Sequence, residues 1–330
     1  LSKIAWKNIW RNKGRSSIVI VAIALGLLAG IFASAFVSGM MKQKVDSVVE
    51  KEMSHFQFHE KGFRDEFATE LFLKNGSIIE QEIQKDTTVK YTSGRVISMA
   101  MLGSANQSGA IKAIGVNPGS EGEITGLNTK LVEGKFFEGI KRNPILISTR
   151  TAEKYKIKLR SKVVLTFQDL NGEIVAGAFR VVGIFNTHNG MYDEMNVFVD
   201  RDDLAKLINI PQGSYHELAV MLNQHGIAEQ TAAKYQEKYP EKEVLSWLDL
   251  GTGMRSMMEM TGSYTAILVG IILIALLFSI INTMLMAVLE RTKELGMLMS
   301  IGMNKWKVFL TIVFETVMLT IVGAPLGMLL

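Results

Sequence analysis

Three apolar runs frame this sequence. Ile18–Val37 holds about twenty residues without a charge, Thr261–Leu289 is uncharged throughout, and Val308–Leu330 carries one charge, Glu315. A helix rising ~1.5 Å per residue needs roughly 20 residues to cross a hydrocarbon core, and each run reaches that length. Lipid offers the backbone no hydrogen-bonding partners, so helix is the state such runs adopt. The pattern predicts spans at 18–39, 263–289 and 308–330. The last two form a hairpin whose tip, 290–307, faces solvent.

Between the first two runs the periodicity changes. His55–Glu60 alternates as a strand, with His55, Gln57 and His59 on one side and Phe56 and Phe58 on the other. Thr69–Lys85 reads as a helix, Thr88–Ser104 and Gly109–Val116 as strands, and Pro118–Gly139 as irregular and glycine-rich. Strands are expected at Ile145–Ser148 and Lys162–Asp169, with a short helix at Thr151–Tyr155. Asn171-Gly172 marks a tight hairpin turn into Glu173–Phe185, which Gly177 and Gly183 break. Beyond it, strands at Asn196–Val199, Glu217–Leu222 and Val244–Leu248 alternate with helices at Asp202–Ile208, capped by Asp200, and Ile227–Tyr239. This mixture predicts an α+β domain over 40–262, with an inserted β-rich lobe at about 118–213. Met40–Met53 and Gly251–Gly262 would be stalks joining it to the spans.

The ends carry further detail. Residues 1–17 place Ile4, Ile9, Trp6 and Trp10 among Lys3, Lys7 and Arg11, the composition of an amphipathic elbow helix lying in the membrane interface; a solvated basic tail is the plainer reading. Within the first span Ala22, Gly26, Gly30 and Ser34 recur every fourth residue, a stripe of small side chains that lets another helix approach closely. The basic flank and Ala33-Ser34-Ala35 also have the outline of a cleaved secretory signal, but the run is long for one and a second membrane hairpin follows.

The formal net charge is +4 over 330 residues. Its placement matters more than its size. Lys3, Lys7, Arg11, Lys13 and Arg15 precede the first span without an acid among them, and Arg291, Lys293, Lys305 and Lys307 sit at the hairpin tip. The middle is then near neutral. The excess is the positive-inside signature, which sets both basic segments in the cytoplasm and the large domain outside; it is not a nucleic-acid surface.

Candidate chemistry is sparse. There is no cysteine, so disulfides, thiolate metal sites and thiol nucleophiles are excluded. Gly134-Lys135 lacks the upstream glycine of a nucleotide-cradling loop, and no Gly-x-Ser-x-Gly or His-Glu-x-x-His occurs. No cofactor or metal site is expected in this chain, and no enzyme constellation. His55 and His59 are four residues apart on a strand, about 13 Å, too far to share a metal. His188, His216 and His225 are read as surface or internally satisfied residues, and Met254–Met260 as an adaptable apolar contact surface. Glu315, about two turns past Lys307, is read as an interfacial or packing acid in preference to an ion pathway.

The tip is the most specific segment. Leu295, Leu298, Met299 and Gly302 lie at helical spacing, while Glu290/Lys293 and Arg291/Glu294 can pair three apart on the opposite side. Gly296 and Gly302 are read as places where another surface approaches. A plain connecting loop needs few apolar residues, and this one has many.

Here the chain resembles the FtsX-like permease family of ABC transporters, a group that includes lipoprotein-releasing Lol permeases and MacB-type efflux pumps. The resemblance is carried by Ala5–Lys13, by Asn282–Gly296 with its Glu-Arg-Thr-Lys-Glu-Leu-Gly ending, and by Ile301-Gly302-Met303. Leu131–Phe137 and Phe179–Phe185 are similar to the family's outer, MacB-like periplasmic core domain. The resemblance implies α-helical membrane spans, four per permease, plus an α+β extracytoplasmic domain of two lobes. It implies two permeases, identical or not, on a dimer of separate ATPases that bind the ATP and magnesium. Glu290, Arg291, Lys293, Glu294, Leu295, Gly296, Leu298 and Gly302 would then belong to the coupling helix that meets the ATPase. ATP-driven closure would reach the outer domain through the spans, by mechanotransmission, in a bacterial inner membrane.

Two features depart from the family. Three spans are visible, so the chain is expected to be a fragment without the fourth, and Arg160-Ser161 stands where relatives often carry Gly-Asp. Two functions stay open: release or export of lipoproteins or other envelope amphiphiles, and regulation of an extracytoplasmic partner such as a cell-wall hydrolase, with nothing transported. Membrane lipid and a lipoprotein substrate are expected partners; nucleic acid is not.

Overall fold

The computed structural model describes residues 13–49, 53–105, 107–138, 142–251 and 253–329. The elbow helix expected over 1–17 falls almost wholly outside the described residues, as does part of the first stalk. The chain divides into two compact units, Leu1–Gln43 with Ser256–Leu330 and Lys44–Arg255.

In chain order the described elements are α1 (Lys13–Val48), β1 (Phe56–Glu60), α2 (Phe63–Glu66), α3 (Gly76–Ile83), β2 (Val89–Gly103), β3 (Ser108–Val116) and α4 (Pro118–Thr125). They continue through β4 (Leu131–Gly134), β5 (Pro144–Ser148), α5 (Thr149–Lys154), β6 (Lys162–Gln168), β7 (Ile174–Phe185), α6 (Gly190–Met195), β8 (Asn196–Asp200) and α7 (Arg201–Leu207). Last come β9 (Glu217–Leu222), α8 (Ala228–Lys238), β10 (Lys242–Ser246), α9 (Trp247–Leu250), α10 (Met254–Glu290), α11 (Thr292–Ser300) and α12 (Lys305–Leu329).

Three of these helices are long and apolar enough to cross a membrane: Ser16–Gln43 within α1, α10 and α12. The return stalk, from Met254 onward, and the second apolar run are one unbroken helix, α10, because nothing between Met254 and Glu290 stops helical hydrogen bonding.

The α+β unit is organised on β2. Its first half, Val89–Arg95, pairs with β9 in the antiparallel order β10-β1-β9-β2. Its second half, Val96–Gly103, pairs with β3, and Ala100–Gly103 also with β6. From there β3-β8-β5-β7-β6 returns to β2, closing a ring of six strands. Closure removes free strand edges and encloses a core of Val96, Leu102, Ile111, Ile145, Leu165, Phe179, Val181 and Val199. The four-stranded half packs Phe56, Phe58, Leu218, Val220 and Val244 against Ile79 and Ile83 of α3 and Ala232 and Tyr235 of α8. The β-rich half therefore takes in Val96–Val116 as well as the segment after Pro118.

Most strands follow the alternation, and Asn171-Gly172 forms the β6–β7 turn, with Gly172 at φ 82°. Three local expectations are revised. Pro118–Thr125 is a helix: Asn117 caps it by accepting from the Gly119 N–H at 3.0 Å, Pro118 fills a first-turn position that needs no donor, and Gly126 at φ 60° ends it. Its two glycines, Gly119 and Gly122, disguise it. Strand β7 runs unbroken past Gly177, since its neighbours β5 and β6 hold the ladder and Gly183 is absorbed by a register shift against β5. The helix read over Thr69–Lys85 is confined to α3.

Candidate functional site

The tip segment folds as predicted in kind, with a break at each end. Helix α11 starts after Arg291 and ends in paired hydrogen bonds: Gly302 N–H donates to the Met299 carbonyl at 3.1 Å and Met303 N–H to the Leu298 carbonyl at 3.1 Å. This is a Schellman cap, and Gly302 takes the left-handed position at φ 98° that a side chain would strain. Gly302 is thus accounted for by the turn itself. Gly296 lies mid-helix with open space where a side chain would go.

No residue of α11 is buried. Met297, Leu298, Met299 and Ile301 are exposed, as is Trp306 beyond the turn, while Leu295 is half-buried. Lys293 and Glu294 are exposed beside them. Arg291 Nη1 lies 3.5 Å from Glu315 Oε1, both side chains largely shielded, so the start of the tip is tied to the middle of α12. The acid inside the third apolar run is therefore neutralised by a residue of the tip.

Within the bundle, Ala22, Gly26, Gly30 and Ser34 are all half-buried on α1. A Cβ on Gly26 would meet the Leu276 side chain of α10 at 2.2 Å, and one on Gly30 would stand 3.8 Å from Ile272. Gly30, Ser34, Ile272 and Leu276 line an apolar groove of about 410 Å³. A second seam was missed in the sequence: a Cβ on Gly327 would lie 2.6 Å from the Ala24 carbonyl oxygen, and one on Gly323 would lie 3.2 Å from that of Ile20. The Gly-x-x-x-Gly spacing of Gly323 and Gly327 was the available signal. Because Gly327 faces backbone, Gly327→Val is expected to weaken the α1–α12 contact by about 1–3 kcal/mol. The chain has no cysteine of its own, so thiol cross-linking of Val19→Cys to Leu319→Cys, which share one buried cluster, reads this, and its yield should fall.

The α+β unit holds a buried polar row that the sequence did not announce. Strand register sets His59 opposite Glu217 and Glu217 opposite Arg95, on one face of three neighbouring strands. Helix α4 brings Glu121 onto the same face. Arg95 donates from Nε to Glu121 Oε2 (2.9 Å), from Nη2 to Glu121 Oε1 (2.7 Å) and from Nη1 to Glu217 Oε1 (2.5 Å), with all three side chains nearly inaccessible. Burial disfavours the guanidinium charge, but Glu121 and Glu217 outweigh it and hold Arg95 above its ordinary value. Glu217 is held low, as Arg95 overcomes the burial that would raise it. His216 is spent internally: its Nδ1 accepts from Ile97 N–H at 3.1 Å and its Nε2–H donates to the Thr69 carbonyl at 3.1 Å. His55 Nδ1 accepts from Leu222 N–H at 2.8 Å. Among the described residues no group of three or more His, Asp or Glu side chains is arranged to hold a metal ion.

In chain order, an α+β unit lies between helices long and apolar enough to cross a membrane, with an exposed nine-residue helix between the last two. Residues 16–238 match the MacB-like periplasmic core domain and residues 266–330 the FtsX-like permease C-terminal domain. The chain belongs to the FtsX-like, MacB-type permease family of ABC transporters. It is 26% identical over 158 residues to an uncharacterized ABC transporter permease of Methanocaldococcus jannaschii, a match covering 46% of this chain. The chain matches 39% of that relative's length. Among solved structures it is similar to the extracellular domain of the ABC-type transporter YknZ from Gram-positive bacteria, at 13% identity and a TM-score of 0.40, covering 58% of this chain and 98% of that one. It is also similar to the periplasmic region of MacB from Actinobacillus actinomycetemcomitans, at 12% identity and a TM-score of 0.41, covering 62% and 90%.

Proposed function

We propose that this chain is the permease subunit through which a separate ATPase dimer, binding ATP and magnesium, works on an extracytoplasmic domain. In this reading the ATPase docks on α11 and its flanking turns, a second permease completes the bundle, and the basic segments lie on the cytoplasmic side of the inner membrane. The observation that carries it is the tip. A nine-residue helix with no buried side chain exposes Met297, Leu298 and Met299, with Ile301 just past its end, beside charged groups, and Arg291 fastens its start to α12 through Glu315. Exposed apolar residues beside charges suit a protein partner, and the ion pair gives a push on the tip a route into a span.

Reversing the exposed charges, Lys293→Glu with Glu294→Lys, leaves the Arg291–Glu315 pair in place. Co-purification of the ATPase with the full chain is expected to be lost while membrane insertion is retained. Undiminished co-purification would sink the docking assignment. For the substrate, the apolar groove along Gly30 and Ser34 favours an amphiphile such as a lipoprotein over a purely regulatory role, since acyl chains fit a narrow apolar cleft between spans. Photocross-linking from Ser34 should trap acylated protein; recovery of a cell-wall hydrolase and no acylated species would favour the regulator.

A further inference from the structure

Beside the buried row, residues of β1, α2, β2, β3 and β9 line a pocket of about 140 Å³, where the four-stranded half meets the ring of strands. Three cations line it: Arg64, Arg95 and Lys112. One acid, Glu217, lines it with them, and Glu121 reaches Arg95 from behind. Both carboxylates are committed to Arg95. His59 adds no charge at neutral pH, because burial holds its pKa down at about 4 against the pull of Glu217.

Arg64 and Lys112 are left. Arg64 donates from Nη2 to the Leu250 carbonyl at 2.8 Å and meets no carboxylate within ion-pair distance among the described residues. The Lys112 ammonium lies 5.4 Å from the centre of the Phe67 ring and has no hydrogen-bond acceptor or ion-pair partner among the described residues. An ammonium carries three donors, and withdrawing it from water without an acceptor is unfavourable. Lys112 is half-buried; burial pushes its pKa down, and the Glu217 charge nearby pulls the other way without meeting it directly. With Arg95 saturated, the wall carries an excess of positive charge and unspent donors facing a space the size of one small polar group.

We propose that this pocket binds a small oxyanion, a carboxylate or phosphate group, held by Lys112 and Arg64. Lys112 supplies a point charge with free donors; Arg64 presents the rest of its guanidinium fork. Gln57 and His59 complete a polar rim. The bound anion bridges β3, through Lys112, to α2, through Arg64. The assignment is independent of the transport reading.

Titration calorimetry on the full chain in an uncharged detergent tests it, using sodium phosphate and sodium acetate against sodium chloride at equal ionic strength. Saturable one-to-one binding of phosphate or acetate is expected, and whichever binds tighter names the group as phosphoryl or carboxylate. Lys112→Met and, separately, Arg64→Gln should weaken that binding roughly tenfold or more, the loss expected for a charge-assisted contact. Lys206→Met, on α7 and away from the pocket, should leave it unchanged. Two variants guard against one that fails to fold. A short-chain phosphatidic acid separates the sources: tighter binding than inorganic phosphate assigns a lipid headgroup, and equal or weaker binding a free anion. Heats no different from chloride, or unaltered binding in both variants, would overturn the proposal.

Discussion

Arg95→Met is expected to lower the stability of the outer unit by roughly 3–5 kcal/mol, the range for removing one partner of a buried ion group. Methionine fills a similar volume, so the loss is electrostatic and not a cavity. Glu121 and Glu217 would be left facing each other out of water, 0% and 8% exposed, with their main donor gone. One or both would then protonate. The row is not a net source of stability in itself, since desolvating three charges offsets much of their attraction. The triple change Arg95→Met, Glu121→Gln and Glu217→Gln should accordingly recover part of the loss. Thermal unfolding of the full chain with Trp6, Trp10 and Trp306 changed to Phe, followed by the fluorescence of Trp247 on α9, reads both outcomes. A single variant within 1 kcal/mol of the parent would show that water reaches the row.

Acid is expected to produce a comparable effect through two histidines. Burial lowers the pKa of His216 from 6.5 to about 4, and His59 likewise to about 4. In the unfolded chain both would titrate near 6.5. Between those values the unfolded state binds protons that the folded state refuses, so stability falls as pH drops from about 6.5 to about 4 and is fully present above 6.5. Below 4 the two residues cause no further loss. A depression of this size corresponds to roughly 3 kcal/mol for each histidine. The physical reason is clearest at His216, where a second proton would land on the Nδ1 that already accepts from Ile97 N–H. Melting temperature against pH should show the fall, and His216→Gln should flatten part of it. A flat profile between 6.5 and 4 would refute the neutral assignment.

How far the sequence could be read divides along physical lines. The three long apolar helices are legible because such a run has one stable state in lipid, and the strands because alternation or β-branched runs leave little else. Glu217–Leu222 was placed to the residue. Helix α4 was not, because its signal lies in the Asn117-Pro118 cap and not in its composition, where Gly119 and Gly122 point away from helix. Gly302 is readable as a place where a partner approaches, and the sequence alone does not show that its conformation also ends its own helix. The Arg95 row was invisible because Arg95, Glu121 and Glu217 are far apart in the chain, and only strand register and a helix docked across β2 unite them. The alternation of β1 correctly set His59 on the face opposite Phe58, but nothing local says that the polar face is covered too.

The sharing of β2 has a mechanical consequence. One strand of 15 residues is laced into the open sheet at one end and the closed ring at the other. Bending the domain at that boundary would shear several rungs of hydrogen bonding at once, so a displacement delivered to either part should move the two as a single stiff beam.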